Sequence, residues 1–397
     1  MNLHRRTMLR GGLAGVGLAG LGGCASLPAS SAAPRSIDGR PRLAALRARP
    51  ERLFDLTVCL RPFRAAGPRL DSERVGDALV VHNYGHGGSG WSLSWGSAEI
   101  AVRQAMASSP GRVAVVGCGA LGLTAAITAQ RAGAEVTIYA KDLLPQTRSS
   151  RATGMFTPHS RIALTSATAP GFPELWEQMA RTSFKAYRAY LGLPGNPVEW
   201  VDEYDVRDLA PPASPAAPAT TGPAGLPFAD YGDRIADLQP PGERLPPEAS
   251  PFAGARVARG SNLLFNIADY GHTLMTDFLL AGGRIRRREF RSPAELGGLD
   301  EKVVINCPGY GARALWNDDS IVPVRGQIGW LIPQPEINYG LYYRRISMVP
   351  RRDGIVVQSL VGGDMRGYGD DREVVDRAES ERAVAVLAEL MTRLIAP

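Results

Sequence analysis

The stretch from Leu79 to Asp142 constrains the fold most, because it sets two strand, glycine loop, helix units back to back. In the first unit, the apolar run Leu79 to Val81 is predicted as a strand. It empties into His82, Asn83, Tyr84, Gly85, His86, Gly87, Gly88, Ser89 and Gly90, and a helix is expected over about Trp91 to Met106. A turn at Ser108, Ser109, Pro110 and Gly111 follows. The second unit reads as a strand at Val113 to Val116, a loop and helix start marked by Gly117, Gly119 and Gly122, and a next strand at Glu135 to Ala140. Strands alternating with helices in this way imply an α/β domain.

The spacing of Gly117, Gly119 and Gly122 matches a dinucleotide fingerprint in its required context, with a strand before and a helix after. Gly117 would allow the tight turn, Gly119 the approach of a pyrophosphate to the backbone, and Gly122 close packing of helix on strand. Ala120 and Leu121 then begin the helix whose N-terminus would face the phosphates. The competing explanation is a glycine-rich turn that holds no ligand. The strand after the helix ends Tyr139, Ala140, Lys141, Asp142. Either Asp142 holds the ribose hydroxyls or Lys141 contacts the adenosine end.

The first unit is the more diagnostic. Val80 to Ala98, VVHNYGHGGSGWSLSWGSA, resembles the signature of the D-amino acid oxidase family. That resemblance implies FAD as cofactor, with Gly87, Gly88, Gly90, Trp91 and Ser92 beside the flavin. A helix start carries partial positive charge and would stabilise an isoalloxazine that becomes anionic on reduction. His82 and His86 are read as hydrogen-bonded residues that shape the loop, since hydride transfer to a flavin needs no imidazole. Thr147 to Pro158 resembles the family's flavin-contacting loop, which adds Ser149, Gly154 and Met155, and Phe290 joins the cofactor set. By the same resemblance Arg61, in Cys59 to Arg64, clamps the substrate carboxylate and the Gly88 carbonyl accepts from the amine. A guanidinium fork suits a carboxylate, although a surface ion pair would explain an arginine equally simply. Tyr342 to Pro350 falls where the family has its lid and a carboxylate-binding tyrosine. Ser347 occupies the matching position, and Tyr343 is the nearest candidate substitute, or else an exposed loop aromatic.

The order of these blocks is unusual. In the family the dinucleotide fingerprint opens the chain and the HNYGHGG block lies near its end, so the sequence reads as a circular permutant joined near Ser108 to Arg112. The implied architecture is a Rossmann-like FAD domain interleaved with a mixed-sheet substrate domain. Residues 54–160 and 257–320 are assigned to the FAD domain, and 161–256 and 321–397 to the substrate domain. Within these, Phe172 to Leu191 has helical periodicity, and Asp208 to Pro251 is too dense in Pro, Ala and Gly for an ordinary connection.

Residues 1–23 resemble a twin-arginine export signal, with Arg5 and Arg6 before a glycine-rich apolar run, and 24–53 a tether. Leu21 to Cys24 resembles a lipoprotein site, making Cys24 a lipid anchor to the membrane; cleavage at an ordinary site is the alternative. The expectation is an exported, periplasmic protein. Net charge is +6, with Arg5, Arg6 and Arg10 in the leader, and no basic stripe interleaved with aromatics suggests nucleic acid. Cys59, Cys118 and Cys307 show neither disulfide nor metal-ligand spacing, so no metal is expected. The chemistry implied is oxidative deamination of a D-amino acid, giving the 2-oxo acid, ammonia and hydrogen peroxide. A dehydrogenase feeding a membrane quinone from a D-amino acid or amine, and a non-catalytic flavoprotein scaffold, are the alternatives.

Overall fold

The computed structural model describes residues 39–209 and 227–395. The leader with Cys24, and the centre of the Pro-rich stretch after Asp208, lie outside the described residues. In chain order the first half holds β1 (Leu53–Arg64), β2 (Ser72–Val75), β3 (Ala78–His82), α1 (Gly90–Ala105), β4 (Arg112–Val116), α2 (Ala120–Arg131), β5 (Glu135–Ala140) and α3 (Phe172–Tyr187). Next come β6 (Val198–Asp208), β7 (Glu243–Arg244), β8 (Ala255–Phe265), α4 (Ile267–Leu280), β9 (Arg284–Arg287), α5 (Ala294–Gly297), β10 (Val303–Asn306) and α6 (Ala312–Leu315). The remainder is β11 (Ile321–Leu331), β12 (Tyr339–Tyr343), β13 (Ile346–Arg351), β14 (Gly354–Ser359) and α7 (Arg377–Met391).

Six strands form one sheet in the order β2-β3-β10-β4-β5-β9. All pairs are parallel except the edge pair β2 and β3. Because β10 lies between β3 and β4, a strand from late in the chain seats the two glycine-loop units side by side. The loops after β3, β10, β4 and β5 therefore leave from one edge, the carboxyl edge where open α/β sheets hold ligands. α1 is buried on nearly every side, with Trp91, Leu93, Trp95, Ala98, Ala101 and Val102 all in the core. At Gly96 a β-carbon would stand 2.2 Å from the Met179 carbonyl oxygen of α3, so this crossing requires glycine.

The second sheet is mixed and has eight strands, β1-β11-β14-β13-β12-β6-β8-β7. Pleating sends alternate residues to opposite faces. One face packs Tyr204, Val206, Leu341, Tyr343, Met348 and Val357 against Leu387 and Leu390 of α7 and against Leu43 and Leu46. The other carries Val201, Leu264, Ile328, Trp330, Val349 and Val356 together with Met155. The fold class is the mixed α/β one expected, but two boundaries fall elsewhere. β1, placed by the sequence in the FAD part, pairs along its length with β11, and β8 pairs along its length with β6. Both are long strands whose partners are set by tertiary pairing rather than by neighbours in sequence.

Candidate functional site

Two hollows meet at the carboxyl edge of the six-stranded sheet. The smaller, about 580 Å³, is lined by Gly117, Gly119, Ala120, Leu121, Lys141, Asp142, Ser149 and Phe290 among others. The larger, about 700 Å³, is lined from both sheets and includes Arg61, Gly87, Gly88, Gly90, Trp91, Met155 and Ser347. Ala120, Leu121, Arg148, Ser149, Gly309 and Tyr310 belong to both, so the hollows form one crevice.

At the smaller hollow two of the fingerprint glycines are required by close backbone packing. Gly117 has φ of 99°, and a β-carbon there would lie 2.3 Å from the Cys307 carbonyl oxygen. Gly122 faces inward to strand β4, where a β-carbon would lie 2.0 Å from the Gly117 carbonyl oxygen. It secures helix packing and does not line the hollow. Ser149 Oγ accepts from the Ala120 N–H at 3.1 Å, and the Ser149 carbonyl accepts from Trp91 Nε1 at 2.8 Å. This serine thus links the starts of α2 and α1. Lys141 is exposed and pairs with Glu289 at 2.7 Å across the hollow's rim, with Asp142 beside it.

The residues fit a dinucleotide. Neither Ser89 nor Gly119 caps its helix with a side chain, and although Ser149 takes the Ala120 N–H, the positive ends of α1 at Gly90 and of α2 at Ala120 line the crevice. Arg148, at the junction of the hollows, stacks 5.2 Å over Tyr310 and pairs with Glu373 at 2.7 Å, while its Nη1 is buried without a hydrogen-bond partner among the described residues. An unpaired guanidinium nitrogen beside two helix starts suits a diphosphate. Arg148 escaped the sequence reading, although it directly precedes Ser149.

In the larger hollow, Arg61 projects from β1. Its guanidinium donates to the Val324 carbonyl at 3.5 Å and has no carboxylate within ion-pair reach among the described residues. Space for it is left by Gly326 on β11, where a β-carbon would come within 2.2 Å of Nη1. Burial holds the Arg61 pKa below its usual value. Arg161 stands nearby, its pKa pushed down to about 10 by burial and then by the Arg61 charge, and pairs with Asp364 at 2.9 Å. Cys59, two residues from Arg61, lines the same wall.

Ser347 and its cross-strand partner Gln358 face the hollow together. Tyr343 does not. Its side chain is fully buried on the α7 face, where its hydroxyl meets the Asp208 carboxylate at 3.1 Å and accepts from Arg393 at 3.0 Å. The Tyr343 expectation is thereby corrected, since strand parity puts Leu341 and Tyr343 away from the cavity. Ser92 and Gly154 are also structural. Ser92 Oγ accepts from the Thr157 N–H at 2.8 Å, and Gly154 has φ of 94° against the Phe265 carbonyl.

Of the two histidines, His82 is bonded as expected, with Nε2 to Glu73 at 2.8 Å and Nδ1 to Asn306 at 3.1 Å. His86 differs, for neither ring nitrogen has a partner among the described residues. Burial drives its pKa down to about 3, so the ring is neutral. The sequence reading also missed Glu203 and Asn262, which line the hollow from β6 and β8. Among the described residues no group of His, Cys, Asp and Glu could hold a metal.

Residues 112–397 match the family described as FAD dependent oxidoreductase. The chain belongs to that family. FAD is accordingly the cofactor of this oxidoreductase. The chain is similar to a D-amino-acid oxidase of Streptomyces coelicolor, 28% identical over 220 residues that make up 55% of this chain and 58% of that protein. A D-aspartate oxidase of Cryptococcus neoformans is 46% identical over 52 residues, 13% of each chain. The matches thus span little more than half the relatives' length at most. A solved L-amino acid deaminase of Proteus vulgaris superposes with a TM-score of 0.43 at 14% identity, covering 72% of this chain and 75% of that one.

Proposed function

We propose that this oxidoreductase oxidises a D-amino acid at its α-carbon, giving an imine that leaves and hydrolyses to the 2-oxo acid and ammonia. The observation that carries this reading is Arg61, a part-buried guanidinium without a carboxylate partner among the described residues, at the wall of the hollow where the flavin loop and the substrate sheet meet. A substrate carboxylate would supply the missing anion bidentately. Gln358 and Ser347 flank the cavity face nearby and offer an amide and a hydroxyl in place of the absent tyrosine. Gly88 lines the hollow, so its carbonyl would accept from the substrate amine and fix the α-carbon. FAD, when bound, supplies a two-electron acceptor for the α-hydride that oxygen or a quinone can re-oxidise. The amine is taken to bind neutral, so no side-chain base is needed, and burial leaves His86, on the cavity lining, neutral and a weak base.

The position of Arg61 and the HNYGHGG loop before the fingerprint supports a circularly permuted chain. Restoring the family's order requires the present ends of the folded chain to lie close together. The Leu46 N–H approaches Met391 Sδ at 3.3 Å, which brings the chain ahead of β1 against the end of α7. The Arg5, Arg6 and Cys24 leader supports an exported, lipid-anchored protein, a setting that favours a membrane quinone as acceptor. The deciding experiment mixes the yellow protein anaerobically with D- and L-amino acids. Bleaching of the flavin band by D-amino acids is expected, followed by oxygen uptake or quinone reduction when either acceptor is added. Full flavin content without bleaching by any D-amino acid would favour the non-catalytic scaffold, and bleaching by L-amino acids alone would reverse the stereochemistry.

A further inference from the structure

Across the sheet from Arg61, the larger hollow contains a carboxylate that the reaction does not use. Glu203 lies on β6, five strands away in the order β1-β11-β14-β13-β12-β6. Its cross-strand neighbours are Gly340 on β12 and Gly260 on β8. Neither has a side chain, so the carboxyl meets no side chain from either directly paired position. Space at Gly340 is used by Glu203 itself, since a β-carbon there would stand 3.1 Å from Glu203 Cγ. Oε2 accepts from Asn262 Nδ2 at 3.1 Å, and Asn262 is held in turn by Gln239 and by the Leu263 N–H at 2.8 Å. Among the described residues no arginine or lysine comes within ion-pair reach of Glu203, although the chain is rich in arginine.

A part-buried carboxylate that is oriented by a neutral amide and left without a cation is costly unless a ligand provides one. Burial also pushes its pKa up, a penalty that an incoming cation would offset. The remaining cavity wall near it is apolar or neutral, with Met155, Val349 and Ser347. The hollow is therefore polarised, with unpaired positive charge at one wall and unpaired negative charge at another.

We infer that Glu203 is a specificity residue that receives a cationic side-chain terminus, so that the preferred substrate is an amino acid with a long, positively charged side chain. The inference rests on the amino acid oxidation reading and extends it from the α-carboxylate to the far end of the substrate. Arg61 takes the α-carboxylate, the aliphatic part crosses the apolar wall, and the terminal ammonium or guanidinium meets Glu203. A short side chain would leave that carboxylate unmatched.

The test compares D-lysine with D-norleucine, which has the same carbon skeleton without the terminal ammonium. The wild-type kcat/KM ratio should favour D-lysine by about tenfold or more, as expected for a close charge pair in a partly buried site. In Glu203→Gln, which keeps an acceptor for Asn262, the ratio should collapse towards one. Equal kcat/KM in the wild type, or a ratio untouched by Glu203→Gln, overturns the inference. Binding of both ligands, read from perturbation of the bound flavin's absorption, separates this inference from the oxidation reading. Tighter binding of D-lysine without turnover of either would sink the oxidation reading and support Glu203 as the cation receptor. Equal binding would remove the receptor whether or not either compound is oxidised. Should Glu203→Gln fail to fold, the wild-type series D-ornithine, D-lysine and D-arginine decides, and no gain over D-norleucine at any length overturns the inference.

Discussion

His86 offers a quantitative prediction that begins in the sequence and ends in an unfolding curve. The ring is buried with both nitrogens unpaired among the described residues, and burial lowers its pKa to about 3. In the unfolded chain an ordinary histidine titrates near 6.5, so below that pH the unfolded state binds the extra proton and stability falls. The contribution is fully present above about pH 6.5 and is lost progressively as pH drops towards about 3. Between pH 7 and pH 5 the loss is about 2 kcal/mol for this one group. His82, whose pKa burial also lowers, acts in the same direction. Urea unfolding of the FAD-loaded protein at pH 7, 6 and 5 should show this slope, and His86→Asn should flatten it by up to one proton. Parallel pH dependence in the two proteins would refute the neutral buried ring. The functional corollary is that the cavity's positive charge comes from its arginines and not from His86, and a rate profile should carry no limb that His86→Asn removes.

Three other outcomes are expected. Gly119→Val should give a colourless protein, because even a β-carbon at this position would stand 2.6 Å from Ser149 Oγ, and retained FAD would contradict the cradle. Tyr343→Phe should cost about 1 to 2 kcal/mol of stability by leaving the Asp208 cluster one partner short, without altering kcat/KM, and a selective loss of activity would return Tyr343 to the cavity. A rearranged chain that runs from Arg112 to Pro397 and continues through a flexible linker into residues 41–107 should fold and bind FAD, since Leu46 already lies at Met391; insoluble protein at every linker length, with the parent soluble, would count against permutation.

The parts of this fold that were legible in sequence are those written locally. Gly117, Gly119 and Gly122 sit between a strand and a helix that are contiguous with them, and β5 begins and ends where its apolar run does. Arg61 could be nominated from its neighbours by resemblance. Its sheet could not, because β1 finds its partner β11 only after β2 to β10 have intervened. Tyr343 and Ser347 show why faces are harder than strands. Both faces of this sheet are covered, one by α7 and one by the cavity, so no polar alternation marks which residues look where. The turn at Arg344 and Arg345, both with positive φ, settles the parity, and neither residue announces such a turn. Glu203 was hidden for the same reason. In a run with Asp202, Asp205 and Asp208 it looks like one more solvated acid, and only the glycines on the adjoining strands expose it to the cavity.

The claim on which the account turns is that Arg61 binds the substrate carboxylate beside the flavin. The direct measurement is the anaerobic rate of flavin reduction by D-amino acids in wild type and in Arg61→Met, with FAD content determined on the same samples. Removing a charge-assisted pair enclosed by the bound substrate is worth roughly 2 to 5 kcal/mol, so the second-order rate constant should fall about a hundredfold or more. FAD content should be unchanged, because Arg61 lines the substrate-side hollow and not the fingerprint. Arg61→Lys should not restore the rate, since a point charge does not reproduce the planar fork. Equal reduction rates in wild type and Arg61→Met, at equal FAD content, would contradict the account.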